Sequence, residues 1–359
     1  MSEIKVNSIK GVGASAAAIT VNNTDGTCTA NITNNLSNRN LIINGAMQVA
    51  QRGTSATVGD NSYATVDRFK VTQNSLDEDI TQAQVDVASG TTPYNLGLTK
   101  ALKITNGNQT SGAGAADYIE IGHKIEAQDI RNSGWNYLSS SSFITLTFYV
   151  KSSVAQVFYG YIRTRDGTGY SYPFSTGSLS EDTWTKVTKT ISGNSNLQID
   201  NDNGSGLELY IVPFLGTDAT NNSRSLDSWA AHADASHFPD MTSTWYTTND
   251  ATLEITGVQL EVGSVATDFE HKSFGQELAL CQRYYQTGFI KIYDSNAGVQ
   301  VISQNFMPEM RAAPTVTGEQ FSGQTNAPWG SIEVTTSRAC SFYKNGVEIC
   351  QRWMCNAEL

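Results

Sequence analysis

Charged residues are scarce in this sequence: Asp, Glu, Lys and Arg make up 16% of 359 residues, against about 25% in an ordinary globular protein. Basic residues are scarcer still. Lys and Arg number 23 against 34 Asp and Glu, a net charge of −11 at pH 7, so the basic footprint that a phosphate backbone demands is missing and no nucleic-acid partner is expected. Long apolar runs are also lacking. The best, Phe143 to Val150, is interrupted by Thr and falls far short of the roughly 20 residues a bilayer span needs, so no membrane insertion is expected. Ala16 to Val21 is too short and too weakly apolar for a signal peptide, which points to synthesis in a cytoplasm rather than general secretion.

Cysteine is sparse and its spacing unhelpful to metals. Cys28, Cys281, Cys340, Cys350 and Cys355 are an odd set without a C-x-x-C, and no His follows His271, so a zinc site is not expected. One disulfide among the last three, or buried reduced thiols, are the two options; thiols suit a chain made in a cytoplasm.

What fills the chain instead is Gly, Ser, Thr and Asn around short apolar runs, with 39% hydrophobic residues and 30 Gly. That is the balance of a turn-rich all-β protein. Residues 1–38 are poor in large side chains, with extended stretches at Ile4 to Ile9 and Ala18 to Val21 and a turn at Asn22, Asn23, Asp25 and Gly26. Such a segment buries too little apolar area to offset its ordering entropy, so a partner must order it. Residues 39–272 alternate with period two, as in Ile144, Leu146, Phe148 and Val150, or Leu207, Leu209 and Ile211. Many short antiparallel strands predict a jelly-roll β-sandwich whose two sheets each bury one face. Leu253 and Ile255 are followed by Val258, Leu260 and Val262; the step at Gly257 shifts the inward set by one and predicts a β-bulge.

Over 273–288 the period changes. Ser273 with Gln276 has the spacing of a capping box, and Phe274, Leu278, Cys281 and Tyr285 recur at helical intervals before Gly288, which predicts a connecting helix. Its apolar stripe is as narrow as a coiled-coil seam. Two readings stay open: the stripe packs on its own chain, or three copies meet around it as a trimer seam. Residues 289–359 return to strands as a small distal β domain, where Pro308 and Pro314 mark an edge or loop and Asn345-Gly346 is the strongest hairpin signal in the chain.

Catalytic templates fail. No G-x-S-x-G, H-E-x-x-H or G-x-x-x-x-G-K-[ST] occurs, so no enzyme is expected and no catalytic residue is assigned. His232, Asp234, His237 and Asp240 fit no single helix or strand face, which favours a solvated loop beside Trp229 and Trp245 over a metal site. No cofactor is expected. Asp200 and Asp202, in a turn with Asn201 and Asn203, are weak calcium candidates, although the glycine of an EF-hand comes one position early. Adjacent acids such as Glu181 and Asp182 have the wrong geometry for the opposed carboxyls of glycoside hydrolysis, but folding could still bring distant acids together.

Aromatics are the more informative population. Trp135, Tyr137, Trp229, Trp245 and Tyr246 sit beside loops rather than inside strands. A flat ring with neighbouring Asn, Asp or Ser suits the C–H face and hydroxyl rim of a sugar, which makes these five the glycan-binding candidates. The competing reading is that loop tryptophans plug the ends of the sandwich. Trp184, opening a strand, is assigned to the core.

Two stretches then carry a resemblance. The run from Asn40 to Gly53, followed by Asp67-Arg68-Phe69, resembles the opening of a domain common in bacteriophage tail fibre and receptor-binding proteins, especially of phages infecting marine bacteria and cyanobacteria. The run from Ile255 to Glu270, with Glu277 to Tyr285 after it, is similar to the close of the same domain, and Met310 to Thr315 and Ala357-Glu358-Leu359 match as well. The resemblance implies a virion protein of the phage tail, assembled in the host cytoplasm as a homotrimer. It implies a jelly roll like those of carbohydrate-binding modules, an N-terminus fixed to other tail proteins, and a distal part that meets the host. With the aromatic argument, it leads to the expectation of a tail fibre that binds a host surface glycan without catalysis. A glycan depolymerase, or a purely architectural tail or capsid-decorating protein, are the alternatives.

Overall fold

The computed structural model describes residues 8–10, 12, 19–21, 24, 28–30, 39–57, 61–293, 300–320, 331–344 and 348–359. In chain order its first sixteen strands are β1 (Ser8–Ile9), β2 (Ile19–Val21), β3 (Cys28–Ala30), β4 (Ser55–Thr57), β5 (Asn61–Ser62), β6 (Phe69–Asn74), β7 (Thr81–Asp86), β8 (Lys100–Thr105), β9 (Tyr118–Glu126), β10 (Phe143–Ser152), β11 (Val157–Thr164), β12 (Tyr170–Ser178), β13 (Thr185–Ser192), β14 (Ser205–Leu215), β15 (Ala230–Ala231) and β16 (Thr252–Val262). Short helices α1 (Thr92–Asn95), α2 (Ala127–Asn132) and α3 (Thr244–Thr247) interrupt them. β1 to β3 form a small sheet of their own, and the turn expected at Asn22 to Gly26 lies mostly outside the described residues.

The body is a two-layer antiparallel sandwich of jelly-roll type. One sheet has the order β13-β10-β16-β8-β7-β4, the other β15-β12-β11-β14-β9-β6-β5. Alternation explains the layering: Ile144, Leu146, Phe148 and Val150 of β10 face Phe158, Ile162, Leu209 and Ile211 of the opposite sheet, all within 2% of full burial. The expected bulge is present. Register between β10 and β16 slips after Thr147, Gly257 takes φ 63°, and a Cβ there would stand 2.6 Å from Leu98 Cδ1, so glycine alone fits both backbone and space. Trp184 departs from expectation. It is half-buried in a side cluster with Leu98 and Tyr149, with Lys151 Nζ 5.3 Å from its ring, because its strand opens on the outer side of the sheet edge.

α4 (Phe274–Gln282) follows, with Ser273 and Gln276 in a reciprocal capping box. It ends well short of Gly288. Arg283 and Tyr284 are pulled onto the sandwich, and β17 (Tyr285–Tyr293) pairs with β22 (Glu348–Asn356), so sheet pairing overrides the helical spacing. The distal domain has two three-stranded sheets, β17-β22-β19 and β18-β21-β20, with β18 (Gln300–Asn305), β19 (Thr315–Gln320), β20 (Ser331–Thr335) and β21 (Ala339–Lys344). Phe306, Met310, Phe342 and Trp353 fill it. The Asn345-Gly346 turn lies outside the described residues, and the strands on either side do not make the expected hairpin. β21 pairs with β18 and β20, and β22 with β17 and β19, so the chain crosses between sheets there.

Charged side chains join the two bodies. Arg68, fully buried, pairs with Glu358, 290 positions away, while its guanidinium lies 3.4 Å from the Tyr284 ring centroid. Glu126 accepts from Arg283 Nε at 2.9 Å and Nη2 at 2.8 Å, and from the Tyr284 hydroxyl at 2.6 Å. Burial alone would raise the Glu126 carboxyl, yet these donors hold it below the usual range. Arg52 adds Glu358 at 3.2 Å and the Tyr285 ring at 3.7 Å. Arg311 donates to Ala357 O at 2.8 Å and exchanges backbone contacts with Asn203. The Asn44 N–H donates to Glu277 of α4. The residues that carry the resemblance in sequence therefore assemble into one buried polar latch.

Candidate functional site

At one end of the sandwich the loop after α2 and the loop before β14 enclose an open cup of about 530 Å³, lined by Tyr137, Leu138, Gly167, Gln198 and Asp200 among others. Two-residue alternation builds its floor: Leu197 and Ile199, at 2% and 5% exposure, turn into the core, which leaves Gln198 and Asp200 pointing out. The loop is fixed by its backbone, with Asn194 N donating to Tyr137 O at 2.8 Å and Asp200 N to Asp166 Oδ2 at 2.8 Å. Gly167 takes φ 58° beneath the Gln198 side chain, whose Oε1 would lie 1.2 Å from any Cβ placed there.

The cup pairs apolar surface with hydrogen-bonding groups. Tyr137 is half-buried and Leu138 is 50% exposed, while among the described residues the Asp200 carboxylate accepts no hydrogen bond. Arg131 donates to the Tyr137 hydroxyl and stands 5.8 Å from its ring centroid, and the buried Trp135 ring meets it edge-on at 6.2 Å. The ring is thus braced at its base and held in place. Beside the cup, the Asp166 carboxyl is raised by burial and by its neighbours Asp200 and Asp202. A ring with acceptors and donors on its rim can hold a sugar by its C–H face and its hydroxyls.

The other aromatic candidates behave differently. Trp135 at 3%, Trp245 at 0% and Tyr246 at 1% exposure offer no face to a ligand, which corrects their assignment as glycan contacts. Trp245 donates to Thr252 O at 3.0 Å, and Tyr246 stacks on Phe214 at 4.2 Å with its hydroxyl on Asp117 at 2.9 Å. They plug the ends of the sandwich, where a buried indole or phenol finds a backbone or carboxylate partner. Trp229 is half-buried at the sandwich edge, edge-on to Tyr172 at 5.4 Å with its N–H on Ser192 O, and stands apart from the cup. Gln198 was missed, since a lone Gln in a polar loop carries no sequence signal.

The seam residues separate as well. Phe274 is 57% exposed and Leu278 half-buried, but Cys281 at 0% and Tyr285 at 5% are covered by their own chain, the latter on a strand, so the four do not form one open stripe. Asp202 accepts from Gly204 N at 2.9 Å in a plain turn, and no three His, Cys, Asp or Glu side chains among the described residues could hold a metal, Asp200 and Asp202 included. The His232 loop is solvated at Ala233, Asp234, Ala235 and Asp240, as expected, but His237 and Phe238 turn inward. His232 Nε2 lies 3.0 Å from both Asp234 and Arg163, its ring 5.2 Å from His237, and His237 packs 4.6 Å from the buried Tyr161 ring on the outer face of β11. Burial, then the neighbouring His232 and Arg163 charges, lower the His237 imidazole to about 4.

No family model matches the chain, and no curated protein does. Among solved structures, 62% of the chain is similar to 21% of the enzymatically active domain of tailspike protein 4 of bacteriophage CBA120, at 10% identity and a TM-score of 0.33. The same share is similar to 99% of a putative sugar binding protein from Bacteroides thetaiotaomicron at 15% identity and 0.33. A xylan-binding domain from Paenibacillus barcinonensis matches over 59% of this chain and 94% of its own, at 12% and 0.28. Likenesses this distant carry no functional argument.

Proposed function

We propose that this chain is a tail fibre subunit of a bacteriophage that adsorbs the particle to its host by holding a surface glycan in the cup at Tyr137, without cleaving it. The observation that carries the binding is the cup itself: a braced, half-exposed ring beside a free carboxylate and a side-chain amide, on loops fixed by a rigid sandwich. The sequence resemblance at Asn40 to Gly53 and Ile255 to Tyr285 supports the tail assignment. Assembly as a homotrimer, with residues 1–38 fixed to other tail proteins, belongs to the same proposal; Phe274 and Leu278 are the part of the expected seam left for contact between copies, and light scattering of the purified chain tests it, a monomer at every concentration ruling it out. Trimers would turn weak cups into useful avidity.

The binding test is a glycan array with Tyr137→Ala and Asp200→Asn beside wild type. Each variant should bind about tenfold more weakly, whereas Trp229→Ala should bind as wild type does. Unchanged binding in both cup variants would remove the site. One observation favours a second reading, hydrolysis: burial, then the neighbouring Asp200 and Asp202, raise the Asp166 carboxyl, the direction a general acid beside a carboxylate requires. Release of reducing ends from a bound polysaccharide, abolished in Asp166→Asn, would replace adsorption by depolymerisation.

A further inference from the structure

A second cavity, of about 670 Å³, opens where the sandwich meets the distal domain, remote in composition from the cup. Its sandwich wall carries cations in a protein that is otherwise acidic. Lys70, on the outer side of β6, lines it half-buried; among the described residues it has no acid partner within salt-bridge distance, only the Tyr63 ring at 5.8 Å. Burial, then repulsion from Lys124, lower its ammonium pKa, against smaller opposing contributions from Glu208 and Glu358. Arg52 lies beside it with a side chain only 10% exposed, its Nη2 paired with Glu358 at 3.2 Å and its Nη1 with Asp67 at 3.8 Å. Of the acidic side chains in the lining, Glu358 is held by Arg68 and Arg52, while Glu319, 63% exposed, stands 4.0 Å from Arg352 of the same cavity.

The opposite wall is polar, its hydroxyls standing beside the exposed Glu319–Arg352 pair. Thr315 and Thr317 share one face of β19 by strand alternation and are exposed, and Thr315 sits across from Asn356 of β22. An ammonium on one side, with hydroxyls and an amide on the other, matches a six-membered ring that bears one carboxylate and several hydroxyls.

We infer that the domain junction is a second ligand site, selective for an acidic sugar of the uronic acid class, with its carboxylate on Lys70 Nζ and its hydroxyls on Thr315, Thr317 and Asn356. This rests on the proposal that the chain binds glycan, and adds to it a preference for a charged residue in the polymer. An acidic residue of the polymer is thereby met at the Lys70 ammonium, in spite of a net charge of −11.

Titration calorimetry of the full chain with glucuronate, glucose and acetate tests it. Glucuronate should bind, and glucose and acetate should bind about tenfold more weakly or not at all, since each lacks half of the recognition. Lys70→Gln should weaken glucuronate by about tenfold and Lys70→Arg should restore most of the loss. Tyr137→Ala should leave glucuronate binding as it is, which separates this site from the cup: neutral-glycan binding unchanged in Tyr137→Ala, with glucuronate binding intact in wild type, would break only the adsorption proposal. Acetate binding as tightly as glucuronate would reduce the cavity to an anion pocket and overturn the inference. Equal binding of glucuronate by wild type and Lys70→Gln, or no binding by either, would overturn it too.

Discussion

Truncating Glu358 to Ala is the sharpest probe of the latch between the two bodies. The substitution removes the carboxylate from two cations at once: Arg68, whose side chain is 0% exposed, and Arg52, at 10%. Arg52 keeps Asp67 at 3.8 Å, but Arg68 retains only the Tyr284 ring and the Lys124 carbonyl, with its Nε already lacking a partner. A buried charge stripped of its counter-ion costs about 3–5 kcal/mol. Urea unfolding of the full chain should show that loss as a midpoint lower by about 1 M or more. Because the pair is buried, raising the salt should not reproduce the effect in wild type. Removing both charges in Arg68→Met/Glu358→Leu should restore most of the stability, since no charge is then left stranded. A loss under about 1 kcal/mol in Glu358→Ala, or a double variant no more stable than the single one, would refute the assignment of the latch.

Three further outcomes are expected. Trp245→Ala should lower stability by about 3–5 kcal/mol while leaving glycan affinity at the cup within twofold, roughly, in the population that remains folded; a selective loss of binding at unchanged stability would restore Trp245 as a contact. Gly257→Ala should cost about 1–3 kcal/mol in urea unfolding, through the positive φ and the Leu98 contact, and a neutral result would mean the bulge can relax. His237, lowered to about 4 in the folded chain, binds its proton more readily once unfolded, so stability should fall as pH drops from about 6.5 toward 4. Glu120, raised by burial to about 6, works in the opposite sense, and His123 and His232, also lowered by burial, in the same sense, so the comparison is with His237→Phe, whose stability profile should lose only the share of the slope that His237 supplies; identical profiles would rule out His237 as a source.

How much could be read from residue order follows from the range of the interactions. The period-two runs of β10, β14 and β16, the Gly257 bulge and the Ser273 capping box are settled within a few residues, and each appears in the structure. β11 and β12 escaped notice because Gly160, Pro173 and tyrosines on both faces blur the alternation. The helix end and the lost hairpin were decided by distant partners: β22 captures Tyr285 and leaves β21 to another sheet. The cup shows the same division. Tyr137 stood out as a ring beside a loop, but its meeting with Gln198 and Asp200 depends on how Leu197 and Ile199 anchor a loop 60 residues on, roughly, which no local pattern encodes. Loop position alone also cannot tell a tryptophan that faces solvent from one that turns inward, and Trp135, Trp229 and Trp245 divide on that point.

The latch has a mechanical corollary. A single strand of chain at Arg283 to Tyr285 links the sandwich to the distal domain covalently, and a lone tether of that kind would act as a swivel. Instead, Glu126 clamps the tether at Arg283 and Tyr284, and the far body is held beside it through Glu358 on Arg52 and Arg68 and through Arg311 on Asn203. A sideways tug at the tip is therefore spread over several ionic and polar anchors, and the two bodies tilt together as one lever.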